Sequence, residues 1–196
     1  MTELSVNQIA IDSSRNFRAI LDAMAKPGHV SPFMPEVNAP AALLSGTAAI
    51  VQTLCDFQSP VFLGQEFATS AIQRFVKFHT GAPLTDDPAL ASFALLQANA
   101  GMPKLSTFSQ GTHEYPDRST TLIIQVEGFA QDSVVLSGPG LKELVNFAAQ
   151  GLAKEFWQQM IINNQQYPLG VDVIFVSSKA IACCPRSTRI QMKEQA

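Results

Sequence analysis

The sequence predicts an α/β domain in which helices cover a mixed sheet, on three observations. Short apolar runs that suit buried strands recur at Val61 to Leu63, Thr120 to Val126 and Val171 to Val176. Segments with apolar residues at helical spacing lie between them, so strands and helices alternate along the chain. The composition, 46% hydrophobic and 15% charged over 196 residues, fits one globular domain and is too apolar for a disordered chain.

Taken in order, Ser13 to Lys26 carries Phe17, Ile20, Leu21 and Met24 at i, i+3, i+4 and i+7, which predicts an amphipathic helix capped by Ser13 or Ser14 and ended by Pro27-Gly28. A second helix is expected from Pro40 through Leu43, Leu44, Ile50, Val51 and Leu54, since proline suits a first helical turn. Val61-Phe62-Leu63, opened by Ser59-Pro60 and closed by Gly64, reads as a buried strand. The next helix sets Ile72, Phe75, Val76 and His79 on one face and stops at Gly81.

Thr85-Asp86-Asp87-Pro88 has the residues of a helix start, yet Ala91 to Leu96 suits a helix or a buried strand alike. From Gly101 to Arg118 glycine, proline, serine, threonine and charged residues dominate, as in a long irregular connection holding one turn of helix. Thr120 to Val126 and Ser133 to Leu136 are expected as strands at the sheet centre, joined near Glu127-Gly128. Gly138-Pro139-Gly140 is expected to lead into a helix striped by Leu152, Phe156, Trp157, Met160 and Ile161, fraying at Asn163-Asn164 and ending before Pro168. Val171 to Val176, a turn at Ser177-Ser178-Lys179, and Ala180 to Cys184 form a β-hairpin, and the polar residues from Gln191 on are expected to fray. No repeat or linker divides residues 1–196, so a single domain is expected.

Composition also excludes functions. The net charge is -3, with 13 Lys+Arg scattered singly against 16 Asp+Glu, so the sequence has no footprint for nucleic acid. No run of about 18 apolar residues and no leader-like segment is found, so neither a membrane partner nor export is expected. Three cysteines, two of them adjacent at Cys183 and Cys184, suit reduced thiols and a cytoplasmic location.

Chemistry must come from fewer groups. His29, His79 and His113 are far apart and the cysteine pair has no spacer, so no metal site is expected. There is no P-loop, no Gly-x-Ser-x-Gly elbow and no dinucleotide fingerprint. The densest polar cluster is Gly111 to Arg118. There His113, Glu114, Asp117 and Arg118 could serve as acid, base and anion clamp at a sheet edge, although a charged turn entering a strand is ordinarily a solvated loop. His79 ends a helix, where a protonated imidazole would face the negative end of the dipole. Arg186 and Arg189, beside Ser187 and Thr188, offer donors to an anion or to a partner's carboxylate, or form an exposed basic loop. His79, His113, Asp117, Arg118 and Arg186 are the candidate ligand or interface residues, and no catalytic residue is assigned.

Seven strings occur in the order of one family: FRAILDAMAKPG from Phe17, DFQSPVFL from Asp56, FHTGAP from Phe78, GTHEYPDRSTT from Gly111, LSGPGL from Leu136, YPLGVDVIF from Tyr167 and PRSTR from Pro185. Together they resemble the phosphonate metabolism protein H family, whose members belong to the bacterial carbon-phosphorus lyase core complex, from Phe17 to Arg189. Lys26 and Ser187 stand where that family often has arginine and threonine. The resemblance implies a three-layer α/β/α sandwich with a mixed sheet, like the large domain of pyridoxal-phosphate-dependent transferases but without the cofactor site. It implies an accessory, noncatalytic subunit that supports transfer of the ribose triphosphate of ATP to methylphosphonate with release of adenine. It implies the I subunit as chief partner, with the G and J subunits in the core complex, and a homodimer when isolated. The alternative is a stand-alone anion- or nucleotide-handling enzyme, a phosphohydrolase or transferase, built on the His113 to Arg118 loop.

Overall fold

The structure, a computed structural model, describes residues 6–193. In chain order its elements are α1 (Val6–Ala25), β1 (Ser31–Pro32), α2 (Ser45–Leu54), β2 (Val61–Leu63), α3 (Ser70–Thr80), β3 (Leu84–Thr85), β4 (Phe93–Gln97), β5 (Thr121–Gln125), β6 (Phe129–Ser137), β7 (Val145–Ala149), α4 (Lys154–Gln165), β8 (Asp172–Val176), β9 (Ala180–Cys184) and β10 (Arg189–Met192). The main sheet has seven strands in the order β1-β9-β8-β5-β4-β2-β3, and a second has three in the order β10-β6-β7. Strands β3, β2, β4, β5 and β8 run parallel, and β9 turns back antiparallel to β8 as the hairpin predicts.

The period of two along each central strand divides the core. Leu95, Ile123, Ile174 and Ile181 face α1, α2 and α3, where they meet Ile20, Ala49, Ile50, Ile72 and Val76. Leu96, Leu122, Ile124, Val173 and Phe175 face the other way, against Val134, Leu136, Phe147, Phe156, Trp157 and Met160. The result is three layers: three helices, the mixed sheet, and a third layer in which α4 lies beside the small sheet. In that third layer Trp157 meets Phe147 edge-on at 5.9 Å and Phe156 at 5.3 Å. Each fully buried large side chain of this kind stabilises the fold by about 2–3 kcal/mol.

Several local expectations are corrected. Helix α1 begins at Val6, so Ser13 and Ser14 lie inside it and cap nothing. Only part of its stripe reaches the core: Ile20 is buried, while Phe17 and Leu21 are 45% and 50% exposed. Pro40 starts a turn, not a helix. The Leu43 N–H donates to the Pro40 carbonyl at 3.1 Å, Ala42 takes a positive φ of 70°, and α2 starts only at Ser45. The ambiguous stretch near Ala91 resolves as one 3₁₀ turn, Pro88–Leu90, capped by the Asp87 carboxylate, followed by β4. The long connection before β5 holds two such turns, Leu105–Thr107 and Pro116–Arg118.

Beyond β5, which is the middle strand of the main sheet, the expected layout departs further. Strand β6 does not share that sheet; it is the middle of the small one. Gly138 and Gly140 have φ of 124° and 84°, and a Cβ on Gly140 would lie 2.1 Å from the Ala25 carbonyl oxygen. That left-handed turn packs on the end of α1 and leads into β7, so the helix expected after it is shortened to α4. Asn163 is not at a frayed end: it is buried, and its amide brackets Val171, accepting from the N–H at 2.8 Å and donating to the carbonyl at 2.9 Å. Gln191 and Met192 pair with β6 in β10, and the last three residues lie outside the described range.

Candidate functional site

The parallel strands begin in one register. Val61 pairs with Leu84 and Phe93, Phe93 with Thr121, and Thr121 with Asp172, so the strand starts form a straight amino-terminal edge. All five candidate residues lie along it. His79 precedes β3, His113, Asp117 and Arg118 precede β5, and Arg186 follows β9, whose end abuts the start of β8. Open α/β sheets ordinarily take ligands at the opposite edge, outside the carboxyl ends of the strands.

Arg186 is the most extensively hydrogen-bonded group of the set. Its Nε donates to Asp172 Oδ1 at 3.1 Å and its backbone N–H to the same oxygen at 2.8 Å. One Nη1 hydrogen goes to the Pro116 carbonyl at 2.6 Å, and Nη2 serves both Ser119 Oγ and Asp172 Oδ2. The two side chains are 14% and 21% exposed. Of the five guanidinium hydrogens only one on Nη1 is left over. The sequence expectation of an anion donor thus meets a guanidinium already engaged in tying the connection before β5 to the ends of β8 and β9.

The His113 to Arg118 loop is shaped by its own backbone. Gly111 at φ +74° sits so close to Pro116 that a Cβ would lie 2.8 Å from its carbonyl oxygen. Thr112 and Tyr115 exchange N–H···O bonds of 3.1 Å, and the Thr112 hydroxyl accepts from the Tyr115 N–H at 3.0 Å. Arg118 lies 4.2 Å above the Tyr115 ring. His113, Glu114, Asp117 and Arg118 are exposed, and no hydrogen bond or ion pair joins them among the described residues. Asp117 and Arg186 share an open cavity of about 340 Å³ with Pro116, Tyr167 and Pro168. His79 lines a different cavity of about 340 Å³, with Asp12, Asn16, Glu36 and Gln52. Its ring rests on Phe75 at 4.4 Å and meets Phe78 edge-on at 5.1 Å. The geometry therefore brings Asp117 to Arg186 and leaves His79 apart, ahead of β3, three strand spacings from β5 and four from β8, or roughly 14–19 Å along the edge.

The thiols lie beneath this edge. Burial pushes Cys55 and Cys184 up to about 12 and raises Cys183 as well, so all three stay protonated and poorly nucleophilic near neutral pH. Among the described residues no three His, Cys, Asp or Glu side chains gather as metal ligands, and no helix is long and apolar enough to cross a membrane.

Sequence reasoning missed three polar anchors. Asp172 is a lone acid opening an apolar run, which is the only signal of its pairing with Arg186. Asn163 and Gln125 look like ordinary amides. Yet Gln125 is 4% exposed and fills the carboxyl edge: its Oε1 accepts from the Leu44 N–H at 2.7 Å, and its Nε2 donates to the Ala42 carbonyl at 3.0 Å and to Gln97 Oε1 at 3.2 Å.

Comparison with known proteins extends over the whole of this architecture. Residues 5–191 match the family described as Bacterial phosphonate metabolism protein (PhnH). The chain is 34% identical over 176 residues to alpha-D-ribose 1-methylphosphonate 5-triphosphate synthase subunit PhnH of Rhizobium meliloti (strain 1021), across 89% of this chain and 88% of that protein. It is 27% identical over 178 residues to the protein HtxG of Stutzerimonas stutzeri, whose name ties it to C-P lyase as a subunit, across 90% of this chain and 85% of that one. With the match running through both sheets and all four helices, the chain belongs to the bacterial phosphonate metabolism protein (PhnH) family.

Proposed function

We propose that this chain is an accessory subunit of the carbon-phosphorus lyase machinery, which supports transfer of the ribose triphosphate of ATP to methylphosphonate with release of adenine. It acts by contact with other subunits, chiefly the I subunit, with the G and J subunits completing the core complex, and it pairs with itself when isolated. Its compartment is the cytoplasm. The observation that carries this reading is the use made of Arg186: the one candidate cation held in place by a network serves the fold, while the remaining candidates face solvent without converging. A chain so built offers a surface more readily than a reaction centre.

The test is adenine release from ATP and methylphosphonate by purified components. The chain alone is expected to release none, and its addition to the I and G subunits is expected to raise their rate. Release by the chain alone, lost on His113→Ala or Arg118→Ala with folding intact, would establish the stand-alone enzyme instead.

A further inference from the structure

The connections that enter the five parallel strands each expose one large apolar side chain. Phe57 ahead of β2 is 72% exposed, Phe78 ahead of β3 85%, Leu90 ahead of β4 66%, Tyr115 ahead of β5 47% and Tyr167 ahead of β8 62%. Single exposed apolar residues are normal on any protein, but here one comes from every incoming connection of a straight edge about 20 Å long. Residues leaving β2, β4, β5 and β8, at 64–66, 98–100, 126–128 and 177–179, include none of the exposed large hydrophobics, and the short return from β3 is the connection that carries Leu90.

The backbone beneath the row is cross-linked. The Val61 N–H donates to the Pro83 carbonyl at 2.8 Å, Ser92 to Pro60 at 2.8 Å, Thr121 to Ser92 at 2.9 Å and Gly170 to Gln110 at 2.9 Å, so each connection is laced to its neighbour. A surface ordered in advance loses little entropy when something covers it. It is also one-sided in charge. The same connections expose Asp56, Asp86, Asp87, Glu114 and Asp117 against Lys104 and Arg118, with Lys77 in the last turn of α3, so acid is in excess; Arg186 is neutralised by Asp172.

We propose that this amino-terminal edge is the docking face for another subunit, whose surface presents apolar side chains framed by lysine and arginine. The proposal rests on reading the chain as a lyase subunit and names the face and the chemistry of its partner. Charge selects the occupant: a second copy seated face to face about a twofold axis would set carboxylates against carboxylates, whereas a basic rim meets them with opposite sign.

The experiment uses the full-length tagged chain in cells that take phosphorus only from methylphosphonate, with captured lyase subunits quantified by mass spectrometry. Phe57→Ser with Phe78→Ser is expected to cut capture at least tenfold. The melting temperature and light-scattering mass of the isolated chain stay unchanged, because both rings already lie in water. Asp86→Lys with Asp117→Lys is expected to cut it similarly, and zero-length carbodiimide coupling of the wild type is expected to join these carboxylates to partner lysines. Wild-type capture by both double variants overturns the docking face and leaves the subunit reading standing. A fall of the aromatic variant to half the wild-type mass in isolation overturns it too, by making the edge a self-interface. Absence of lyase subunits from the wild-type capture removes the subunit reading and this proposal with it.

Discussion

The two ends of the parallel strands are built to opposite purposes. At the carboxyl ends the protein fills its own crevice: the Gln125 amide closes on Leu44, Ala42 and Gln97, and Asn99 Nδ2 donates to Glu66 Oε1 at 2.6 Å. At the amino ends the backbone is laced but the side chains stand free, with Phe57, Phe78 and Leu90 among the most exposed apolar residues described. In most open α/β sheets the first of these is where a ligand lies. The contrast teaches that a fold's customary site is only a vacancy left by the chain, and that a sequence which plugs it can turn the other edge outward.

The largest expected effect breaks the amino edge from within. Arg186→Ala leaves Asp172 without its partner in a half-buried position and is expected to cost about 3 kcal/mol, read as a lowered urea midpoint. Arg186→Lys restores the charge but not the fork and recovers only part of that loss. Next, Gln125→Leu opens the carboxyl edge. It strands the Leu44 N–H and the Ala42 carbonyl, costs about 1–3 kcal/mol, and is expected to speed hydrogen exchange at the Leu44 amide while the Asp172 amide is unaffected.

A third measurement asks how closed the interior beneath the amino edge is. The folded thiols of Cys55 and Cys184 lie at about 12, above the unfolded value near 9, so above that value the unfolded chain gives up protons which the folded chain keeps. Stability is therefore expected to be full below about pH 8.5 and to fall as pH climbs toward 12, with thiol reagents reacting slowly until the chain opens. The smallest effect belongs to the exposed loop. Arg118→Gln removes a solvent-exposed stack on Tyr115 and is expected to change unfolding free energy by less than about 0.5 kcal/mol.

How much of this was legible in the sequence follows from the range of each interaction. Helix α3 is legible in local signals, its apolar face at Ile72, Phe75 and Val76 and its stop at Gly81, and the structure adds a Thr69 hydroxyl that accepts from the Ile72 N–H and a left-handed Gly81. The hairpin of β8 and β9 and the buried run of β5 were equally plain, because period and composition act within a few residues. Val145 to Ala149 is not legible as a strand because its two alanines suit a helix, and its ladder with β6 forms only once the left-handed turn at Gly138 and Gly140 reverses the chain. The sheet that β6 joins was hidden for a different reason: pairing with β10 is a long-range choice that no window contains. At the site, the polar residues could be named, but the pairing of Arg186 with Asp172 arises only when β9 folds back on β8. Which end of the strands they occupy is a property of topology alone.

The central position of β5 bears on how the chain is made. During synthesis Leu122, Ile123 and Ile124 leave the ribosome able to pair with β4, while the far ladder of β5 waits for β8, which follows only after β6, β7 and α4. The third layer waits as well, since its aromatic cluster needs Phe175 from that same strand. A nascent chain halted before Asp172 thus carries an open, apolar strand edge and an uncovered half-core together, the combination that chaperones hold and that aggregates when they do not. Arrival of β8 covers the free edge of β5 and brings Phe175 to the aromatic cluster, and β9 and β10, which follow within twenty residues, then complete the two sheets.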